Sequence, residues 1–162
     1  MLRSDPVWHP FTQEGEYQAE RDRVVIVRGR GAYLYDRRGR KFLDGHSSLW
    51  VNLHGHRHPR LDAAIRRQLG RVAHSTLLGQ DNDVATRLAG ELIRLVRREG
   101  LSLDRVFYSD DGSTAVEAAI KIALQYWQNV GQPRRDLFVS FRHGYHGDTL
   151  GAVSVGGIDL FH

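Results

Sequence analysis

The spacing of apolar and polar residues changes rhythm twice along this chain. Between residues 24 and 45 the apolar runs are short. "VVIV" (24–27) is β-branched, "GAYLYD" (31–36) alternates, "RRGR" (37–40) reads as a turn and "KFLDG" (41–45) returns. That pattern predicts a small antiparallel unit. "HSSLWVNLHGHRHP" (46–59) breaks the alternation and reads as a loop. From Pro59 the period becomes helical, with Leu61, Ala64, Ile65 and Leu69 on one face. After the polar break "GQDND" (79–83), the residues Val84, Leu88, Leu92, Ile93 and Val96 predict a second helix that ends before Gly100.

The rhythm then becomes strand, helix, strand. "RVFYS" (105–109) and "LFVSF" (137–141) read as strands, and Thr114 to about Asn129 as the helix between them. This predicts a right-handed βαβ unit with parallel strands. On the helix, Ala115, Val116, Ala119, Ile120, Ala123, Tyr126 and Trp127 form the apolar face. Glu117, Lys121, Gln125 and Gln128 mark the polar stripe, with Glu117 and Lys121 in the favoured order for an ion pair. The expected fold class is α/β. A composition boundary near residue 58 separates a hairpin segment, 1–58, from an α/β segment, 59–162.

Composition narrows the function. The 162 residues are 41% hydrophobic and 26% charged, ordinary for a globular chain with a core. The net charge of +4 comes from scattered arginine pairs with acids between them, not from a basic stripe, so no nucleic-acid partner is expected. "MLRSDPVWHPF" has no apolar signal region, and "VVIV" is too short to span a bilayer. The expectation is a cytoplasmic protein with no membrane partner. With no cysteine there is no thiol nucleophile, and the lysines are only Lys41 and Lys121.

Two stretches carry candidate chemistry. "SDDGST" (109–114) interrupts an apolar run and opens a helix. The first turn of a helix has free N–H groups and the positive end of the dipole. Gly112 allows close approach, while Ser113 and Thr114 add hydroxyls, which together make a phosphate cup. The plainer reading is that Ser113 or Thr114 caps the helix, with Glu117 completing a capping box. The second stretch, "FRHGYHGDTLGAVSVGG" (141–157), follows a predicted strand and sets Tyr145 among glycines. A flat ring beside a phosphate cup suits a planar phosphorylated cofactor; a glycine-rich turn with Tyr145 packed on the fold is the plainer alternative. His54, His56 and His58 alternate, but Gly55 and Pro59 argue for a loop, and no carboxylate or cysteine completes a metal set.

With those residues in view, "WHPFTQ" (8–13), "LDGHSSLWVNLHGHRHP" (43–59), "SDDGSTAVEAAIKIALQYW" (109–127) and "FRHGYHGDT" (141–149) resemble the class III aminotransferases that use pyridoxal 5′-phosphate. The resemblance covers essentially the whole chain, in order. "WHPFTQ" and "ALQYW" are most similar to the branch of that family that serves biotin synthesis. The resemblance implies the N-terminal portion of a fold type I transferase. That portion is a small-domain segment with an active-site loop (1–58) and the first part of the large, mostly parallel domain (59–162). It implies a homodimer when complete. Gly112 and Ser113 would bind the cofactor phosphate. Tyr145 would lie against the cofactor ring and the substrate. Phe11 and the Leu49–Trp50 pair would contribute to the substrate pocket. The reaction implied moves an amino group from adenosylmethionine or lysine onto 8-amino-7-oxononanoate, giving 7,8-diaminononanoate. Family members often have Tyr where Phe11 stands and Trp where Leu49 stands. These two departures leave the amino donor open between adenosylmethionine and lysine. They also keep an ω-amino acid or diamine aminotransferase as an alternative.

Transamination with this cofactor needs a lysine for the Schiff base, and in the resembled family it lies beyond residue 162. Lys41 sits in the hairpin. Lys121 is two turns down the polar stripe, roughly 12 Å along the axis from Ser113 at ~1.5 Å per residue. Neither suits the role, so no catalytic residue is expected within these 162. The isolated chain is expected to be inactive and to expose an unpaired sheet edge. A non-catalytic remnant that binds a partner half is the third reading.

Overall fold

The computed structural model describes residues 6–159. The chain divides into two compact units, Met1–Ser75 and Thr76–His162.

In the first unit, α1 (Glu14–Ala19) precedes a three-stranded antiparallel sheet, β1 (Ile26–Arg30), β2 (Tyr33–Asp36) and β3 (Lys41–Leu43), in the order β1-β2-β3. This is the predicted antiparallel unit, with Arg28 opposite Tyr35 and Leu34 opposite Phe42. Asp36 is the pivot of the β2–β3 turn. Its carboxylate accepts from the Arg38 N–H at 3.0 Å, the Arg40 N–H at 2.8 Å and Arg40 Nε at 2.6 Å. Satisfied by these donors, it is only 3% exposed. Desolvation pushes its pKa up, but the Arg40 and Arg38 hydrogen bonds and the Arg40 charge outweigh that and hold it below the usual carboxylate value.

Residues 46–58, read as loop, contain an element that the sequence pattern does not signal. Ser47–Trp50 form α2, a single left-handed turn with φ of 51°, 49°, 64° and 70°. The Trp50 N–H donates to the His46 carbonyl at 2.7 Å and the Val51 N–H to the Ser47 carbonyl at 3.0 Å. Left-handed turns cost L-residues roughly 1–2 kcal/mol each, so something must hold this one. α3 (Pro59–Leu69) then starts at the expected proline, with Asp62 in its first turn and Arg66 and Arg67 in its last.

In the second unit, α4 (Asp83–Arg98) is capped by Asn82, whose side chain accepts from the Val84 and Ala85 N–H groups at 3.1 and 3.2 Å. α5 (Gly112–Asn129) matches the predicted long helix. Gly131, at φ 75°, ends it, and the Gln132 N–H closes back onto the Trp127 carbonyl at 2.8 Å. A short α6 (Leu150–Ser154) lies inside the stretch read as a glycine loop and packs on α5.

The expected strands at 105–109 and 137–141 are the correction to the βαβ prediction. Both segments flank α5, but neither carries a strand ladder among the described residues. A strand is defined by a hydrogen-bonded neighbour, and these two do not pair with each other. Their apolar side chains are bare: Leu137 is 93% exposed, Val139 100% and Phe141 83%. Tyr108 Oη donates to the Ala85 carbonyl at 2.6 Å and ties the first segment to α4.

Candidate functional site

α5 opens on a cap built by Asp111 together with Thr114, one of the two residues the plainer reading offered. The Asp111 carboxylate accepts from the Thr114 N–H at 2.8 Å, and Thr114 Oγ1 accepts from the Asp111 N–H at 3.0 Å. This capping box leaves Ser113 and Glu117 out of the cap. Among the described residues nothing accepts from the N–H groups of Gly112 and Ser113. A Cβ built on Gly112 would meet nothing within 4 Å, so the helix mouth is open there.

The 141–157 stretch folds back onto this mouth. Its base is closed by the His143 N–H to the Gly157 carbonyl at 2.9 Å and the Gly157 N–H to the Gly144 carbonyl at 3.1 Å. The Asp148 N–H donates to Ser113 Oγ at 3.1 Å, and Tyr145 Oη donates to Asp148 Oδ2 at 2.6 Å. Gly147, at φ 123°, lies so close to Ser113 that a Cβ would stand 2.7 Å from the Ser113 Cα. Gly112, Ser113 and Tyr145 are therefore gathered at one helix end. The bond to Asp148, burial, and the Asp148 and Asp111 charges raise the pKa of Tyr145 above its ordinary 10.0, so the phenol stays protonated.

One helical turn below Ser113, Glu117 also faces this loop. Its Oε1 accepts from the Gly151 N–H at 2.6 Å. Its pKa is lowered by the Thr149 hydroxyl first, then by the Gly151 and Ala152 N–H groups, against an opposing desolvation. The Thr149 hydroxyl sits near that carboxylate without hydrogen-bond geometry. The anticipated ion pair with Lys121 does not form; that charge acts only at longer range.

Phe11, Leu49 and Trp50 lie on two segments of the first unit and share a backbone property. All three have positive φ, at 51°, 64° and 70°. Phe11 sits in the turn before α1, where the His9 N–H donates to Glu14 Oε1 at 2.9 Å. Leu49 and Trp50 close α2, and both are well exposed. α2 is clamped by Asp44. One carboxylate oxygen accepts from the Ser48 N–H at 2.7 Å; the other accepts from Ser48 Oγ at 2.8 Å and lies 2.8 Å from His56 Nε2. Ser48 above all, then His56, lowers the Asp44 pKa. His56 is thus held to a carboxylate, while the His54 and His58 rings lie 5.8 Å apart. Sequence reading gave Asp44 and Asp148 no partner and placed Glu117 in the helix cap; the Glu117 bond to Gly151 forms only through the fold, while Ser48 and Tyr145 lie within four residues of Asp44 and Asp148. Lys41 places Nζ 3.7 Å from the Tyr33 ring centre, and Lys121 is exposed on α5.

Comparison with known proteins agrees with this geometry. The profile described as "Aminotransferase class-III" matches residues 16–159. The adenosylmethionine-8-amino-7-oxononanoate aminotransferase of Staphylococcus aureus is 51% identical over 98% of this chain and 35% of its own length. That of Aquifex aeolicus is 52% identical over 96% of this chain and 33% of its own. The chain spans about a third of the length of the curated relatives it matches. The crystal structure of the Methanocaldococcus jannaschii enzyme of the same name superimposes with a TM-score of 0.89 at 46% identity, covering 97% of this chain and 35% of that one. A PLP-bound amine transaminase from an uncultivated Pseudomonas species gives 0.86 at 37% identity, covering 98% and 35%. With the match running through the sheet, the helix mouth and the loop that folds onto it, the chain belongs to the class-III aminotransferase family.

Proposed function

We propose that this chain is the N-terminal part of an adenosylmethionine-8-amino-7-oxononanoate aminotransferase and holds the phosphate of pyridoxal 5′-phosphate. The observation that carries the reading is the open mouth of α5, closed on one side by a loop that brings Tyr145 to Ser113 through Asp148. The residues fit the cofactor. Two N–H groups and the Ser113 hydroxyl stand at the positive end of an 18-residue helix. The Asp111 carboxylate is engaged with Thr114, and the Asp148 carboxylate with Tyr145. Gly112 and Ser113 would bind the phosphate, and Tyr145 would lie against the ring. When bound, the cofactor supplies an electron sink for moving an amino group between carbons.

This chain's residues bind and orient. Phe11, Leu49 and Trp50 form substrate-facing surface. The amino group would pass from adenosylmethionine or lysine to 8-amino-7-oxononanoate, giving 7,8-diaminononanoate. Neither Lys41 nor Lys121 suits the catalytic amine, which lies outside these 162 residues in the whole enzyme. That enzyme would be a cytoplasmic homodimer, with residues 1–58 in its small domain and 59–162 in its large one. Among the described residues no helix is long and apolar enough to cross a membrane. The similarity to an amine transaminase, together with Leu49 in the pocket segment, favours an ω-amine transaminase as the second reading.

The test uses the full-length protein that contains this chain. It is titrated with pyridoxal phosphate by absorbance, then assayed with 8-amino-7-oxononanoate and either donor. Cofactor uptake with turnover of the keto acid is the expected result. Uptake with turnover of simple amines only would move the assignment to the second reading, and no uptake would end both.

A further inference from the structure

We infer that Glu117 is a positioning residue: it latches the 144–152 loop onto α5 and so fixes where Tyr145 and Asp148 stand relative to Gly112 and Ser113. The inference rests on the proposed cofactor site and deepens it.

Glu117 follows Ser113 by four residues, so the two side chains stack on one face of α5. The loop is tied to that face at both points. Ser113 Oγ accepts from the Asp148 N–H at 3.1 Å, and Glu117 Oε1 accepts from the Gly151 N–H at 2.6 Å. The fit at the second tie is close enough that a side chain there would push the Glu117 carboxylate aside. A Cβ on Gly151 would stand 2.8 Å from Glu117 Cδ, and one on Gly147 would stand 2.7 Å from the Ser113 Cα. Ala152, the next residue, is fully buried.

The latch also does what a local cap would otherwise do. Thr149, the N-cap of α6, makes no side-chain cap bond. The Gly151 N–H in the first turn of α6 is therefore satisfied by a carboxylate from another helix, 34 residues earlier in sequence. Removing Glu117 orphans that donor and leaves the packing of α6 and the Ser113 hydrogen bond to hold the loop on α5. Ser113 is itself a proposed phosphate ligand: its Oγ accepts from the Asp148 N–H and leaves its O–H to donate to the phosphate, so a loosened loop would disturb the orientation of that hydroxyl.

The test compares Glu117→Ala, Glu117→Gln and, as a surface control, Lys121→Ala in the full-length protein. Two quantities are read: hydrogen exchange of the 145–152 N–H groups without cofactor, and the dissociation constant for pyridoxal phosphate. Glu117→Ala is expected to speed exchange across 147–152 and to weaken cofactor binding by roughly tenfold, the scale of one lost charge-assisted hydrogen bond. Glu117→Gln keeps an acceptor for Gly151 and should fall between. Lys121→Ala should match the parent in both. Where Glu117→Ala fails to fold, Glu117→Gln and Gly151→Ala, which presses on the same contact from the loop side, decide the question by the same two readouts. Unchanged exchange and affinity in the Glu117 variants overturn the latch. A parent protein that takes up no pyridoxal phosphate overturns the functional reading and, with it, the latch's role in holding cofactor.

Discussion

At the scale of single residues, backbone strain and proton affinity mark several positions of the candidate site. Leu49 occupies the left-handed region with a full side chain, at φ 64° and ψ 57°. Leu49→Gly should stabilise the intact protein by about 0.5–1 kcal/mol, the steric relief less the added chain entropy, read from the urea midpoint. Leu49→Val, β-branched at positive φ, should shift it the other way. Gly147→Ala should be far costlier, about 2–3 kcal/mol, because φ 123° is closed to alanine and its Cβ would overlap Ser113. Tyr145 supplies a titration test. Its pKa is raised, so its neutral form persists above pH 10.0, and Asp148→Asn should return the phenolate absorbance step toward 10.0. These positions were only partly visible beforehand. Gly112, Ser113 and Tyr145 announce themselves through residue type and neighbours. Asp148 and Glu117 do not, because no local pattern says that the Asp148 N–H will reach Ser113 or that the Glu117 carboxylate will meet Gly151, each more than thirty residues away.

At the scale of elements, the helices follow local rules and α2 does not. Asn82→Ala should lower stability by about 1 kcal/mol in a thermal melt followed by circular dichroism, and leave cofactor affinity unchanged, since the α4 cap lies on a different element from the α5 mouth. α2 depends on Asp44 instead. The folded pKa of Asp44 lies below its ordinary 3.8, chiefly through Ser48. The stabilisation from that clamp is therefore complete above 3.8 and is lost as pH falls through the lowered value. Trp50 fluorescence, in a background with Trp8→Phe and Trp127→Phe, should stay constant from neutral pH down to about 4 and change below that. Asp44→Asn should alter the neutral-pH signal. The antiparallel hairpins, α3, α4 and α5 were legible because alternation, Pro59, Asn82 and the glycines beyond the helix ends act over a few residues. The left-handed turn was not, since Ser-Ser-Leu-Trp has no glycine and its conformation is imposed by Asp44 from outside.

At the scale of the whole molecule, exposed apolar surface is the governing feature. Leu137, Val139 and Phe141 stand bare on a segment with no strand neighbour among the described residues. The 162-residue chain alone should bind a hydrophobic dye and sediment as associated species, and it should show no transamination, since Lys41 stands against the Tyr33 ring in the hairpin and Lys121 lies two turns along α5 from its first residues. Adding the remaining polypeptide of the full-length protein should suppress dye binding.

Sequence alone determined the three long helices, the glycine and hydroxyls at the start of α5, and which family the order of motifs resembles. Periodicity, capping residues and glycine placement are short-range properties written in neighbouring letters. Only the tertiary structure decided that Asp111 rather than Ser113 caps α5, that Asp148 and Glu117 bind the loop to that helix, and that Ser47–Trp50 turn left-handed. The ties of Ser113 to the Asp148 N–H and of Glu117 to the Gly151 N–H span more than thirty residues, and chain order does not encode which distant donor will arrive; the Asp111 cap and the Asp44 clamp on Ser48 act within four residues, where neighbouring side chains offer competing acceptors.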